Sequence, residues 1–179
     1  MEKVILVDES DQPLGAMEKI EAHRQALLHR AFSVFIFNSR GEMLLQQRAQ
    51  EKYHSAGLWT NACCSHPRPG EDTRAAAIRR LREELGFTTD LQKLFEFTYR
   101  TAYDNGLTEF EFDHVFVGTY DQEILPDRAE VSAYRYQSLP EIESELASAP
   151  STFSSWFQLA FPLLKEKIGL LPAYSQRFS

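Results

Sequence analysis

The sequence predicts an α+β domain, and two kinds of pattern support this fold class. Aromatic and polar residues alternate over residues 95–103 and 108–120, which is the side-chain period of a β-strand. Residues 72–86 instead carry the signals of a helix, because Asp72 or Thr73 can cap the first turn and Gly86 can end the last. The chain contains no repeat and no linker, so a single domain over residues 1–179 is expected.

The other elements of the first half follow from apolar runs and turn residues. Residues 3–8 predict a first strand, which the polar stretch 9–15 closes. Two apolar runs within 31–48 surround Ser39, Arg40 and Gly41 and predict a β-hairpin. Residues 57–64 predict an extended segment, and two prolines and a glycine exclude regular structure from the stretch that follows it.

The last third of the chain is expected to be mostly helical. Residues 134–139 predict one more strand, and residues 140–147 and 152–167 predict helices. Pro162 lies inside the second of these helices and predicts a kink or a break, because proline removes one backbone hydrogen bond.

Composition and charge limit the classes of function. The chain has 179 residues, a hydrophobic fraction of 43% and a charged fraction of 25%, which are ordinary for a soluble globular protein. No apolar run approaches the roughly 20 residues that span a bilayer, and the acidic N-terminal stretch lacks a signal peptide's basic start, so a cytoplasmic location is the default expectation. The net charge of −7 argues against a broad nucleic-acid surface but permits a local basic pocket.

The segment WTNACCSHP contains both cysteines of the chain, Cys63 and Cys64, two residues before His66. Two cysteines do not make a disulfide framework, so free thiols are expected. One thiol could react, both could bind a metal, or both could be buried bulk. On an extended segment neighbouring side chains point to opposite faces, so Cys63 and Cys64 should have different surroundings.

The strand TEFEFDHVF separates carboxylates from aromatic rings. A period of two places Glu109, Glu111 and Asp113 on one face. This pattern alone favours a sheet with one solvated face, and a bound cation is the alternative that would offset the adjacent like charges. His23, His29 and His66 are candidate partners in such a metal site, since imidazole and carboxylate ligands suit first-row divalent ions. His54 and His114 lack comparable neighbours in the sequence and are interpreted as structural.

The predicted helix also carries part of a recognisable motif. Seven residues stand at the spacings of a Nudix box, a loop-helix-loop that holds divalent metals on a diphosphate: Glu71, Arg79, Leu81, Glu83, Glu84, Gly86 and Phe87. The match departs from the box in two places, because Ser65 stands where the opening glycine is expected and Arg80 stands where a glutamate follows the box arginine. A cation inside the acidic cluster disfavours phosphate-bond hydrolysis, which needs those carboxylates to load metals and activate water.

Together with other motifs, the box resembles the type I isopentenyl-diphosphate isomerases of the Nudix superfamily. The resemblance runs from about Lys19 to Trp156, through MEKIEAH and the later His29, QQRA followed by Lys52, GLWTNACCSHP, GEDTRAAAIRRLREELG, YR at Tyr99, TEFEFDHVF and SSWF. It implies an α/β/α sandwich with a mixed central β-sheet flanked by helices. It also implies the interconversion of isopentenyl and dimethylallyl diphosphate by protonation and deprotonation.

The resemblance assigns roles to individual residues. It implies that Cys64, Glu111 and Tyr99 are catalytic. It implies six substrate-binding residues: Lys19, Arg48, Lys52, Ser65, Arg80 and Trp156. It implies metal ligands at His23, His29, His66, Glu84, Glu109 and Glu111. Of these, Glu84 resembles the carboxylate that holds Mg²⁺ on the substrate diphosphate, and the His/Glu site would hold a second divalent ion, Mn²⁺, Zn²⁺ or Mg²⁺.

Two other hypotheses come from different classes of function. A Nudix hydrolase would release phosphate from a nucleoside diphosphate or another diphosphate. A non-enzymatic module would use Cys63, Cys64 and His66 as a structural zinc site, although adjacent cysteines chelate one metal awkwardly and no second pair completes the site. For the isomerase the expected partner is a small diphosphate, with no nucleic acid or membrane, and the chain is expected to be a monomer or weak homodimer.

Overall fold

The computed structural model describes residues 1–52, 54–171 and 174. Nine strands lie in this part of the chain: β1 Lys3–Val7, β2 Pro13–Glu18, β3 His29–Phe37, β4 Met43–Arg48, β5 Trp59–Thr60, β6 Cys63–Ser65, β7 Gln92–Ala102, β8 Thr108–Thr119 and β9 Val131–Gln137. The helices are α1 Lys19–Arg24, α2 Thr73–Leu85, α3 Leu139–Ser148 and α4 Ser155–Ile168, with a short 3-10 helix at Pro150–Thr152.

All nine strands belong to one mixed sheet with β3 at its centre. β3 pairs with β8 in parallel along its whole length, from His29 opposite Glu111 to Phe37 opposite Thr119. The other pairings are antiparallel: β1 with β2, β3 with β1, β4 and β6, β7 with β8, and β4 with β5 and β9. The central strand is buried along almost its whole length, and its second half, Val34–Phe37, is entirely apolar, as expected for a strand that is covered on both faces.

Helices cover both faces of the sheet, which confirms the predicted α/β/α sandwich. Alternate residues of β3 belong to different cores, because successive side chains of a strand point to opposite faces. Phe35 and Phe37 pack with α3 and α4, whereas Val34 and Ile36 pack with α2. The first core also contains Phe157 of α4, and the second contains residues of α2 and β6.

The ends of α2 agree with the sequence prediction. The Asp72 carboxylate accepts a hydrogen bond from the backbone N–H of Ala75 at 2.9 Å, which satisfies one of the free donors of the first turn. Gly86 ends the helix in the left-handed conformation at φ 77°. This position suits glycine because a side chain there would strain the backbone.

Three local predictions differ from the structure. The stretch 9–15 was expected to be polar and without a strand, but Pro13–Glu18 forms β2, an exposed strand that pairs with β1. The extended segment 57–64 is divided into β5 and β6. Pro162 does not break α4, because the helix continues from Ser155 to Ile168 around it.

Over the described residues, no helix combines the length and the apolar character that crossing a membrane requires.

Candidate active site

A cavity of about 350 Å³ opens where the ends of several strands meet α2 and α4. Most of its lining is charged or polar. The lining residues are Glu2, Lys19, Arg48, Glu51, Lys52, His54, Cys64, Ser65, His66, Arg80, Glu84, Tyr99, Glu109, Glu111, Glu130 and Trp156. Twelve of the fourteen residues that the sequence predicted as site residues are among them. The other two, His23 and His29, lie behind Glu111, with Nε2 atoms 3.8 Å and 3.5 Å from its Oε1.

Strand pairing explains how distant parts of the chain meet at this cavity. Glu111 of β8 stands opposite His29 on β3 and opposite Tyr99 on β7. Cys64 of β6 stands opposite Ser33 of β3. Because directly paired residues share a face of the sheet, these pairings gather the groups on one side.

Four of these residues form a buried cluster that could hold a metal ion. One ligand atom from each of His23, His29, His66 and Glu111 lies within 4.8 Å of the others. The Nε2 of His66 lies 2.9 Å from Oε1 of Glu111. Three imidazoles and one carboxylate form a donor set suited to a first-row divalent ion.

The hydrogen bonds of the histidines also fit a metal. His29 Nδ1 lies 2.8 Å from the carbonyl oxygen of Leu27, so its N–H donates there and the Nε2 lone pair is left facing the cluster. Neither this Nε2 nor that of His23 has a hydrogen-bond partner in the described structure, although both are buried. Buried polar atoms normally have partners, and a cation would supply one to both nitrogens.

Glu109 has different neighbours from Glu111, and it is outside this cluster. Its Oε1 lies 3.1 Å from Nε2 of His54. Its Oε2 accepts hydrogen bonds from the hydroxyls of Tyr103 at 2.7 Å and Tyr99 at 3.2 Å. Both oxygens therefore have protein partners in this structure, and a ligand role for Glu109 stays a prediction.

Burial and neighbouring charges shift the pKa values of Glu109 and Glu111 in opposite directions. Burial and the charge of Glu111 raise the pKa of Glu109 to about 8. Burial also opposes charge on Glu111, but the adjacent His66 and the other two histidines hold the pKa of Glu111 well below its ordinary value. Tyr99 donates a hydrogen bond to Glu111 Oε2 at 2.7 Å. Its own pKa is raised well above the ordinary value, first by burial and then by the two glutamates.

The adjacent cysteines face opposite sides of the sheet, as the strand period predicted. Cys63 is 0% exposed and packs in the core beneath α2. Cys64 packs against the other core and lines the cavity. Burial, with the nearby carboxylate of Asp113, raises the pKa of the Cys64 thiol. The separation of Cys63 from Cys64 argues against a zinc site that would use both.

Most basic residues of the cavity are paired with carboxylates. Lys19 donates to Glu2 at 3.1 Å, and Lys52 donates to Glu130. The guanidinium of Arg48 lies over the ring of Trp156, 5.1 Å from its centroid, in a cation–π arrangement. These pairs offer cations that an anionic ligand could share.

Glu84 of α2 also has partners at both oxygens. Arg80, one turn earlier on the same helix, donates to Oε1 at 2.6 Å, and Gln46 donates to Oε2 at 2.9 Å. One carboxylate with these partners is too small a donor set to hold Mg²⁺ alone. It fits Mg²⁺ only where phosphate oxygens complete the coordination, which is common for this ion.

The solvated carboxylate face expected from the strand pattern is wrong. Glu109, Glu111 and Asp113 are only 5%, 6% and 1% exposed. They are buried because β8 lies between β3 and β7, and the carboxylate face of β8 lies beneath the cavity and α4. Burying carboxylates costs free energy unless they have partners. This face is therefore interpreted as part of a functional site rather than as a solvated surface.

His54 is the main residue that the sequence interpretation missed. It lines the cavity, approaches Glu109 and stacks on Tyr103 with ring centroids 4.9 Å apart. Burial, followed by the charge of Arg48, lowers its pKa to about 3. Nothing local could have indicated this contact, since Glu109 lies 55 residues away in sequence. Glu2, Glu51 and Glu130 were also missed as lining residues.

Comparison with known proteins identifies the class and then the family. A model of the NUDIX domain matches residues 27–157, which include β3 to the start of α4. A crystal structure of a protein from Deinococcus radiodurans is similar in fold, with a TM-score of 0.77 at 19% identity over 90% of this chain and 98% of that one. A MutT protein from Methanosarcina mazei is similar with a TM-score of 0.64 at 20% identity, over 78% and 94% of the two chains. The fold and the site therefore define a Nudix-domain protein.

Two relatives place the chain in one family of Nudix-domain proteins. The isopentenyl-diphosphate Delta-isomerase of Pectobacterium atrosepticum is 53% identical over 178 residues, which is 98% of this chain and 94% of that protein. The enzyme of the same name from Burkholderia multivorans is 50% identical over 156 residues, 87% of this chain and 89% of its own. The chain belongs to the isopentenyl-diphosphate Delta-isomerase family.

Proposed function

We propose that this protein interconverts isopentenyl diphosphate and dimethylallyl diphosphate. The reaction moves a double bond between C3–C4 and C2–C3 by adding a proton to one carbon and removing a proton from another. One observation carries the proposal: a single cavity contains a thiol, a hydrogen-bonded tyrosine–carboxylate pair and a cluster of basic residues. The names of the relatives support the same substrate.

The chemistry requires two proton-transfer groups. An unactivated alkene is a weak base, so protonation needs an acid held in position against the carbon, and the tertiary cation that results needs stabilisation. Tyr99 donates a hydrogen bond to Glu111 at 2.7 Å, and the two form one such group. Cys64 is the other. Because the reaction is reversible, each group gives a proton in one direction and takes one in the other.

Trp156 is proposed to shelter the cation. Its ring is buried, lines the cavity and accepts the Arg48 guanidinium on its face. A desolvated cation over an indole ring is stabilised by about 2 kcal/mol. The ring also anchors the first turn of α4, so it combines packing with this role.

The diphosphate is proposed to bind the basic residues Lys19, Arg48, Lys52 and Arg80, with a hydrogen bond from Ser65. Glu2 and Glu130 pair with Lys19 and Lys52 and hold these two cations at the cavity. Arg80 has three acidic neighbours, Glu83, Glu84 and Glu130. A phosphate group that pairs with Arg80 would free the carboxylate of Glu84 to bind the Mg²⁺ carried by the diphosphate.

The cluster of His23, His29, His66 and Glu111 is proposed to hold a second divalent ion, Mn²⁺, Zn²⁺ or Mg²⁺, with Glu109 as a further ligand. Such an ion supplies positive charge beside Glu111, which makes that carboxyl a stronger acid. The protein's own contribution is to orient the carboxylate by the hydrogen bond from Tyr99.

Isomerisation and hydrolysis can be separated in one experiment. The purified protein is incubated with isopentenyl diphosphate and Mg²⁺, the hydrocarbon is followed by proton NMR, and phosphate and pyrophosphate release is measured in parallel. We expect dimethylallyl diphosphate without release of either anion. Release without isomerisation, from this substrate or from a panel of nucleoside diphosphates, would establish a hydrolase instead.

A cytoplasmic location, a monomer or weak homodimer, and independence from nucleic acid and membranes remain expectations of this proposal.

A further inference from the structure

The thiol of Cys64 rests against two polar side chains behind the cavity. Its Sγ donates to Oδ1 of Asn61 at 3.1 Å and lies 3.3 Å from Oγ of Ser33. Neither Asn61 nor Ser33 lines the cavity, and both are buried. They therefore act on Cys64 from the interior rather than through a ligand.

The orientation of the Asn61 amide is fixed by its own hydrogen bonds. Its Nδ2 donates to the backbone carbonyls of Val34 and Cys63, each at 3.0 Å. Since the nitrogen is committed to two carbonyl acceptors, the oxygen must face Thr60 and Cys64. Thr60 donates to the same oxygen at 2.9 Å, so Asn61 presents an acceptor to the thiol.

Ser33 is fixed in a similar way by a buried carboxylate. Its hydroxyl donates to Oδ2 of Asp113 at 2.6 Å. A serine has only one hydroxyl proton, so towards Cys64 the oxygen of Ser33 can only accept. The thiol therefore stands between two acceptors, its one proton can point to either of them, and each acceptor is held by a third group.

Burying the Asp113 carboxyl group lowers the stability of the fold, which suggests that the residue has a role other than packing. It is 1% exposed, and its Oδ1 has no hydrogen-bond partner among the described residues. Burying such a group with one partner costs free energy that an apolar side chain of similar size would not cost. Within the described part of the chain, its one hydrogen-bond partner is Ser33, and Ser33 lies next to the thiol of Cys64.

We propose that Ser33 and Asp113, with Asn61, are positioning residues that hold the Cys64 thiol in one orientation towards the substrate carbon. This inference rests on the proposed function, in which Cys64 transfers a proton. Ser33, Asp113 and Asn61 themselves are assigned no contact with the substrate. Asp113 holds Ser33, and Ser33 and Asn61 together hold Sγ. Loss of this support lets the thiol rotate, which lowers the rate of proton transfer while leaving diphosphate binding intact.

The test compares kinetics with a direct signal from the thiol. In a Cys63→Ala background Cys64 is the only cysteine left, so its S–H stretching band can be read by infrared spectroscopy. We expect Ser33→Ala and Asp113→Ala each to lower kcat by about tenfold with KM within about twofold of the parent. Both should also shift the S–H band. Asp113→Asn keeps an acceptor for Ser33, so it should restore kcat to within about threefold and return the band.

Ile36→Ala is the matched control. Ile36 lies three residues after Ser33 on β3, is 0% exposed and packs on the opposite face with α2. Its truncation should lower the melting temperature while leaving kcat and the S–H band unchanged. This separates general loss of packing from loss of thiol orientation.

Two results would overturn the inference, and they have different meanings. If Cys64→Ala is inactive but Ser33→Ala and Asp113→Ala keep the parent kcat and the parent S–H band, only the positioning role fails. If Cys64→Ala keeps near-full isomerase activity, the proposed role of Cys64 fails and the positioning role fails with it.

Discussion

Two carboxylates on one strand acquire different chemistry from their neighbours. Glu109 and Glu111 point to the same side of β8, yet three hydroxyl and imidazole groups surround one and three histidines surround the other. Burial raises the pKa of Glu109, whereas the histidines hold the pKa of Glu111 low. Titratable pairs whose acidities are pushed apart in this way are typical of acid–base sites.

The two cysteines give the sharpest residue-scale prediction. Cys64→Ala should reduce kcat for isopentenyl diphosphate by at least about a hundredfold, as expected for loss of a general acid or base. Cys63→Ala removes one buried atom from the core beneath α2 and should change kcat less than about threefold, with a small loss of stability. Steady-state kinetics on both proteins checks this, and equal losses would be inconsistent with a single reactive thiol.

His54 is predicted to support substrate binding through Glu109. His54→Phe keeps an aromatic ring against Tyr103 but removes the nitrogen that approaches Glu109 at 3.1 Å. The segment that also carries Lys52 would lose this anchor, so KM for isopentenyl diphosphate should rise by up to about tenfold, the effect of one hydrogen bond.

His114→Phe is the control for this substitution. His114 forms a hydrogen bond with Asp11 on the other face of β8, so its substitution should leave KM unchanged. A KM for His54→Phe equal to that of the parent would contradict the anchoring role.

At the scale of elements, the sequence predicted local structure well where capping and periodicity agree. α2 was predicted from Asp72 and Gly86, and β8 from its alternating residues, because these signals are local. β2 was missed because Pro13 and Gly15 are poor strand formers and the strand forms only by pairing with β1. Pro162 was expected to kink or break α4. The helix is not broken, because Phe157, Phe161 and Leu164 pack in the core on both sides of the proline.

The C-terminal end of α2 provides an element-scale prediction. A Cβ added at Gly86 would lie 2.5 Å from the carbonyl oxygen of Leu125, on a backbone with φ 77°. Gly86→Ala should therefore lower the free energy of unfolding by about 2 kcal/mol or more, combining backbone strain with a clash. Urea unfolding followed by circular dichroism measures this change.

Gly106→Ala is the matched comparison for Gly86→Ala. Gly106 has φ 81° but nothing lies within 4 Å of the added atom, so the substitution should cost only about 1 kcal/mol of backbone strain. Equal losses at the two positions would show that the contact with Leu125 contributes nothing.

At the scale of the whole molecule, the site is built from parts that are distant in sequence. Its side chains come from α1, β3, β4, β6, α2, β7, β8, α4 and the segment before β5. Local patterns identified candidate residues such as Glu111 but could not show that its face is buried. The assignment of fourteen residues depended on the family resemblance. His54, Ser33 and Asn61 had no signal of their own, because their partners are set by tertiary packing.

Metal binding should couple to the stability of the whole fold. A cation held by His23, His29, His66 and Glu111 binds only the folded protein, so Mn²⁺ or Zn²⁺ at a hundredfold excess over Kd should stabilise the fold by about 2.7 kcal/mol. Thermal unfolding after chelation and after metal is restored measures this effect. His29→Ala should lose the response, whereas His114→Ala should retain it. A response of the same size in His29→Ala would place the ion elsewhere.

The most direct test of the account is proton exchange in deuterated water. Isopentenyl diphosphate is incubated with the protein and followed by NMR or mass spectrometry. In the proposed mechanism both proton transfers occur at the enzyme's own groups, whose protons exchange with solvent, so deuterium should enter dimethylallyl diphosphate and also the recovered isopentenyl diphosphate. Cys64→Ala and Glu111→Gln should nearly abolish both signals. Undiminished incorporation by Cys64→Ala, or isomerisation without any deuterium entering from solvent, would contradict the proposed mechanism.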